Sequence, residues 1–237
     1  MNKERNEMLA ELQLFLDSTI VNASPVVLEA GCGSRSHVRL PKNSFVVGID
    51  ISKAQLDRND SVSEKIEGDI QSYRLDRERF DVIVCWDVLE HVRDPERAVR
   101  NFVNALKPGA IAILAFPNVS SLWGLVTKYS PHWFHVFYYR YVLGNARAGI
   151  DDNGPFRTYL AWKLNLDNFK KIAKEQNCSV VFERLYDPML HSLIKRSKLL
   201  GGAYKTVARA LHIVSLGRLG GIGNSGITLV YKKNTQL

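Results

Sequence analysis

Strands alternating with helices along most of this chain predict an α/β fold, a doubly wound parallel sheet with helices on both faces. Three observations carry the prediction. Apolar runs recur at Val26–Glu29, Ser44–Ile49, Phe80–Cys85 and Ala110–Phe116. Segments with helical spacing or helix caps fall between them. Three acids, Glu29, Asp50 and Asp69, stand at or just beyond successive strand ends, where a sheet of this class receives its ligand.

The elements follow in order. Met8, Leu9, Leu12, Phe15, Leu16 and Thr19 recur at three-to-four spacing, which predicts an amphipathic helix over 3–20. Asn22-Ala-Ser-Pro breaks it before the first strand. Ser52 is the expected N-cap of a short polar helix reaching Asn59. Lys65–Glu67 is a weak third strand. Asp94-Pro95-Glu96 opens a helix through Leu106, because Asp caps and Pro suits the first turn. Lys107-Pro108-Gly109 closes that helix, and Pro117-Asn118 stops the fifth strand. Asn165–Gln176 reads as a helix, and Ser179–Leu185 and Gly226–Lys232 read as the last two of seven strands.

The 237 residues, 46% apolar, suffice for one α/β domain with insertions. Met1–Glu11 is charged and mixed, so no secretory segment is expected, and the Ala110–Phe116 run is too short to cross a bilayer. Cys32, Cys85 and Cys178 are scattered in apolar contexts with no metal-ligand spacing. They predict reduced, buried thiols in a cytoplasmic protein. The net charge of +8 is unevenly placed. Residues 119–150 hold Lys128, Arg140 and Arg147, and residues 188–225 hold Lys195, Arg196, Lys198, Lys205, Arg209 and Arg218, with no acid in either segment. The remainder carries 23 bases against 24 acids.

The run Val27-Leu28-Glu29-Ala30-Gly31-Cys32-Gly33-Ser34 decides the ligand class. Its glycines permit positive φ and close approach of a ligand. Glu29 opposes a pyrophosphate, and the string Gly31-Cys32-Gly33-Ser34-Arg35-Ser36 lacks the third glycine of a dinucleotide turn. Asp50 follows Gly33 by 17 residues, the reach of an acid that bonds ribose hydroxyls. A ligand with a cationic amino-acid end and a neutral adenosine meets all of these conditions, and S-adenosyl-L-methionine is such a ligand.

Five motifs arrive in order: VLEAGCGS (27–34), VVGIDIS (46–52), EGDI (67–70), FDVIVCWDVLEHV (80–92) and LKPGAIAILAFPN (106–118). With them the chain resembles the class I S-adenosylmethionine-dependent methyltransferases. The resemblance implies a Rossmann-like seven-stranded sheet, mostly parallel, with an antiparallel C-terminal strand. It implies that Glu29, Ala30, Gly31, Cys32 and Gly33 surround the methionine part and sulfonium. Asp50 would take the ribose with Ile51 against the adenine, Asp69 the adenine amino group with Ile70 beside it, and Cys85, Trp86 and Asp87 the floor. Ser34 stands where the family often has glycine.

Chemistry has three candidate bases. Asp87, Glu90 and His91 are spaced for one helical face. Glu90-His91 reads as a structural signature of related enzymes, or, with His132 or His135, as the divalent-metal site of ubiquinone-type and small-RNA O-methyltransferases. No metal is assigned here. His132 and His135 flank a segment holding eight of the chain's 23 aromatics, where this fold builds a substrate lid, and His91, His132 or His135 is the expected general base.

Gly154-Pro155-Phe156-Arg157-Thr158-Tyr159 and Pro131-His132-Trp133-Phe134-His135 resemble a bacterial subgroup associated with glycans and small molecules. Arg157 and Tyr159 suit an anionic or sugar acceptor, or a loop-packing role.

The expected organisation is one methyltransferase domain over 1–237. It comprises an N-terminal helix (1–22), a cofactor core (25–118), an aromatic lid (119–160) and a basic helical insertion (188–225). That last insertion suits either contact with an anionic membrane surface or a cover for the sheet edge with its cations in water. The cover is favoured, with glycines at 201, 202, 217, 220, 221 and 223 breaking any long helix.

The expected activity is O-methylation of a small-molecule, sugar or glycan-type acceptor. Metal-assisted methylation of a quinone- or lipid-linked acceptor at the membrane surface is the alternative. Nucleic acid is a disfavoured partner, because no recognised RNA-binding module accompanies the cations. A catalytically inactive binding relative is the remaining reading.

Overall fold

The structure is a computed structural model describing residues 3–34, 36, 38–142, 144–150, 153–187, 190, 193–195, 197–214 and 223–235. Arg35, Arg196, Arg218 and the glycines at 217, 220 and 221, all invoked above, lie outside the described residues.

Seven strands form one sheet: β1 (Val26–Ala30), β2 (Phe45–Asp50), β3 (Glu64–Glu67), β4 (Phe80–Trp86), β5 (Leu106–Pro117), β6 (Cys178–Tyr186) and β7 (Gly226–Lys233), in spatial order β3-β2-β1-β4-β5-β7-β6. β1 pairs parallel with β2 and β4, and β7 lies antiparallel between β5 and β6. The expected Rossmann-like architecture, antiparallel last strand included, is therefore present. Strand order reverses at β1, so the crevice beyond the ends of β1 and β4 is the switch point of the sheet.

Strand alternation sends neighbouring residues to opposite cores. Val82, Val84 and Trp86 meet Met8, Leu12 and Leu16 of α1 (Lys3–Thr19), which covers one face. Ile83 and Cys85 face the other core, with Val99 and Phe102 of α3 (Pro95–Ala105) and Phe169 and Ile172 of α6 (Leu166–Glu175). The predicted caps form: Ser52 Oγ accepts from the Gln55 N–H at the start of α2 (Lys53–Asp57), and Asp94 caps α3. Asn165 caps α6 as well. Between β5 and α6 lie α4 (Leu122–Tyr129), α5 (His132–Phe137) and a π-helical turn, Tyr138–Val142. α7 (Lys198–Val214) precedes β7.

Three expectations need correction. Lys107-Pro108-Gly109 does not separate helix from strand, because β5 begins at the fully buried Leu106, paired with Phe80. The register then jumps to Val82 opposite Ile111, so these residues form a bulge, with Gly109 at φ +79. Gly201 and Gly202 do not break α7. Gly201 is buried against Ile194, where a Cβ would come within 2.3 Å of that side chain. Asp87 does not share a helical face with Glu90 and His91, because only Leu89–His91 forms a turn of 3-10 helix. Asp87 sits outside that turn at φ 53.

Asp81 ties the amino ends of three strands together. Its Oδ2 accepts from the Val26 N–H at 2.9 Å and from Lys107 Nζ at 2.8 Å. Burial raises its pKa, but the bonds from Lys107 and Val26 outweigh that, and the carboxyl titrates below its usual range. A depressed carboxylate contributes stability above its unfolded pKa and loses it as pH falls through the folded value. Asp81→Ala is expected to cost about 1–3 kcal/mol at pH 7. In urea titrations that difference should shrink below about pH 4.

Candidate active site

The glycine turn after β1 is fixed to the end of β2 by main-chain bonds. The Gly31 and Cys32 N–H groups donate to the Ile49 carbonyl at 2.7 and 3.2 Å, and the Gly33 N–H donates to Asp50 Oδ2 at 2.9 Å. Gly31 and Gly33 hold φ +68 and +52. At Gly31 a Cβ would lie 2.5 Å from the Val88 methyls, whereas at Gly33 the nearest atom is Gln55 Oε1 at 4.0 Å. The first glycine is required by packing. The second leaves its side open to a ligand.

Glu29, Ala30, Gly31, Cys32, Ser36, Val84 and Trp86 line one small cleft of about 10 Å³, room for about one water. The carboxylate of Glu29 is buried, its Oε1 accepts from the Ser36 hydroxyl, and its Oε2 has no hydrogen-bond partner among the described residues. Burial pushes Glu29 up, offset only partly by Ser36. Such an atom fits an incoming ammonium. Cys32 is no nucleophile: burial, then the Asp50 and Glu29 charges, push its thiol to about 12.

Asp50 also accepts from the Ser52 N–H at 2.9 Å, which leaves lone pairs on both oxygens for hydroxyls. Ile51 beside it is exposed, an apolar surface suited to a flat base. Asp69 accepts from the Gln71 N–H at 2.8 Å, and its loop is tied to β2 through Gly68 N–H and the Asp50 carbonyl at 2.9 Å. Ile70 turns its side chain into the core, so only its backbone faces this region.

On the other side of Trp86 lies a group of titratable residues. Glu90 is buried, with Oε2 lacking a partner among the described residues. Burial, with the Asp87 charge adding, pushes its carboxyl well above the usual range. His91 Nδ1 lies 3.0 Å from the Arg157 carbonyl oxygen, which can only accept, so Nδ1 carries the proton and Nε2 the lone pair. Burial lowers the His91 pKa, as does the charge of nearby His132, against opposing effects of the Arg157 carbonyl and Asp87. His135 turns away, its Nε2 2.9 Å from Ser130 Oγ.

Two contributors, Arg5 and Tyr186, had no signal in the sequence, and a third, Tyr139, belongs to the aromatic segment 119–150. Arg5 of α1 pairs with Asp87 at 3.2 Å, and Tyr139 and Tyr186 both feel the Asp87 and Glu90 charges. Burial, then Asp87, carries Tyr186 to about 12. No group of three or more His, Cys, Asp or Glu converges as metal ligands would among the described residues. The end of the aromatic segment closes on Glu90, whose carbonyl accepts from the Tyr159 and Leu160 N–H groups at 2.9 and 3.1 Å.

Residues 1–181 match the methyltransferase-domain family. The chain belongs to that family. Its donor, S-adenosylmethionine, is the ligand that the cleft's groups fit: an unpartnered buried carboxylate, an open glycine and two acids at the next strand ends. Ubiquinone biosynthesis O-methyltransferases of Coxiella burnetii and Pseudomonas putida are 31% and 33% identical over 104 and 105 residues. Each match covers 40% of this chain and 44% or 45% of the relative, so the chain spans under half the length of these relatives.

Solved S-adenosylmethionine-dependent methyltransferases from Mesorhizobium loti and Archaeoglobus fulgidus share the fold. Their TM-scores are 0.52 and 0.53 at 15% and 14% identity, over 92% and 97% of this chain and 96% and 94% of theirs. The cyclase SpnF has the fold as well, with a TM-score of 0.55 at 13% identity, over 96% of this chain and 82% of its own.

Glu29→Gln is expected to preserve or raise thermal stability, because it removes a buried charge. It should weaken S-adenosylmethionine binding about tenfold or more in calorimetric titration. Gly31→Ala forces a left-handed φ on alanine and pushes Val88 aside. A loss of about 1–3 kcal/mol is expected in denaturant unfolding.

Proposed function

We propose that this protein transfers the methyl group of S-adenosylmethionine to a hydroxyl of a small-molecule, sugar or glycan-type acceptor, with His91 as general base. The observation that carries the reading is the His91 imidazole, its pKa lowered by burial and its ring locked by the Arg157 carbonyl, with the Nε2 lone pair, 3.9 Å from Glu90 Oε1, left to take a proton. When bound, the cofactor supplies a methyl group activated on a sulfonium.

The chain's own residues do the remainder. Glu29 would hold the donor's ammonium, Gly33 admits its approach, and Asp50 and Asp69 would receive the ribose and adenine. His91 Nε2 removes the acceptor proton as the oxygen attacks. Such a step contributes a factor of about 10²–10⁴. Alignment at near-attack distance supplies the larger share. Residues 119–160 form the lid over the acceptor side of one catalytic domain, and Arg157 serves through its carbonyl. The name of the curated relatives supports oxygen as the methylated atom.

Release of demethylated cofactor across a panel of phenolic, sugar and polyol acceptors tests the activity. No turnover with any of them, or no binding of S-adenosylmethionine, counts against it. His91→Gln should lower kcat about 10²–10⁴-fold while leaving donor affinity unchanged. Because the neutral ring is the base and its pKa is lowered, wild-type kcat/KM should hold as pH falls through about 6.5 and decline only below it. Full activity in His91→Gln would reassign the base.

A further inference from the structure

We propose that the protein docks on anionic lipid bilayers through one face, made by α7 and the aromatic segment 122–141, at the end of the sheet that carries the active site. This reading goes beyond the proposed reaction and holds for either a soluble or a lipid-borne acceptor.

Both segments leave the sheet at one place. Pro117 at the end of β5 and Tyr186 at the end of β6 are both in register with Gly226 at the start of β7. The Asn118 side chain and N–H donate to the Asn224 and Ser225 carbonyls, each at 3.0 Å, fastening the lid's root to the end of the α7 excursion.

α7 carries more apolar surface than its packing needs. Gly201, Tyr204 and Ala208 face inward and are buried. At 100° per residue, Leu200, Val207 and Val214 form a separate stripe, widened by Leu199 and Ile213, and all five are exposed. Lys198, Lys205 and Arg209 form a third stripe. An outward apolar stripe beside a cationic one is the pattern of a helix lying in a membrane interface. Leu199, Ile213 and Val214 of α7, and Tyr129, Trp133 and Tyr141 of the lid, are each 69–82% exposed. Tryptophan and tyrosine are the residues that settle at headgroup level.

Charge selects the occupant. The segments 119–150 and 188–225 together hold nine cations and no acid. Lys195, Lys198, Lys205 and Arg209 meet no carboxylate among the described residues. A second copy seated here would bring like charges together. RNA would satisfy the cations but leave Leu199, Ile213 and Val214 in water. An anionic bilayer neutralises the cations and buries the aliphatics. A cavity of about 460 Å³ beside α7, with Leu190, Tyr204 and Ala208 on its wall and Lys205 and Arg209 at its side, suits a lipid phosphate and its first methylenes.

Sedimentation of the full chain with phosphatidylcholine vesicles, with and without phosphatidylglycerol, tests the proposal. Pelleting is expected only with phosphatidylglycerol, and should weaken as salt is raised. The triple variant K198E/K205E/R209E should partition about tenfold or more weakly, with S-adenosylmethionine binding unchanged. Tryptophan emission should shift to the blue on the mixed vesicles, and W133F should lose most of that shift.

Failure of the wild type to pellet, or equal pelleting of the charge variant, overturns the proposal. So does an unchanged emission spectrum, which would place the lid away from the lipid. Displacement from the vesicles by equimolar single-stranded RNA would reassign the face to nucleic acid. A dimer in solution that L199S/V214S dissolves would reassign it to self-association. The comparison of the two vesicle types decides even where the charge variant fails to fold.

Discussion

The joint between the first two strands sets the geometry of everything around it. Gly31, Cys32 and Gly33 direct three consecutive main-chain donors at the end of β2, two to the Ile49 carbonyl and one to the Asp50 carboxylate. A strand end that would otherwise fray is thereby held at positive φ, and Glu29, Asp50 and Asp69 come to lie along one rim. Because strand order reverses at β1, that rim is also where the sheet opens. Val88 seals the other side by filling the space a Cβ on Gly31 would need, so the loop that carries Asp87, Glu90 and His91 is positioned by the same glycine.

The site is held at some expense of stability. Two buried carboxylates, Glu29 and Glu90, each keep an oxygen without a partner among the described residues, and burial drives both pKa values up. An unsatisfied buried acceptor costs about 1–3 kcal/mol. A buried carboxylate oxygen left over in this way is suited to a cationic or hydroxylic ligand. Ser36 satisfies half of Glu29 in the meantime, which keeps the cleft closed to all but about one water.

The sheet and donor rim were legible in the sequence because they depend on local chemistry. Ser52, Asp94 and Asn165 cap the helices their spacing predicts, and the acid–glycine run falls at the expected strand end. The acceptor side was legible only in part. The spacing of Asp87, Glu90 and His91 suggested a shared helical face, but the positive φ at Asp87 breaks it, and local pattern carries no information on that angle. Arg5, Tyr139 and Tyr186 reach the same group from elements up to 99 residues away from Asp87 in the chain, and such convergence has no sequence signature. His132 and His135 looked equivalent three residues apart. The Ser130 hydroxyl distinguishes them by engaging only His135.

A shared fold with a cyclase is consistent with the rule that a fold does not by itself determine the reaction. What varies between such proteins must be sought in the parts hung on the carboxyl end of the sheet, and here those parts are coupled to one another. The N–H of Asp187, at the root of the α7 excursion, donates to Glu4 at 2.9 Å, one residue from the Arg5 that pairs with Asp87. Tyr159 and Leu160 grip the Glu90 carbonyl, and the Arg157 carbonyl orients His91, through main-chain atoms alone. An imidazole oriented by a backbone carbonyl tolerates side-chain change at position 157 but not displacement of the segment. The orientation of His91 therefore follows the seating of residues 157–160, and α1 reaches the neighbouring Asp87 through Arg5.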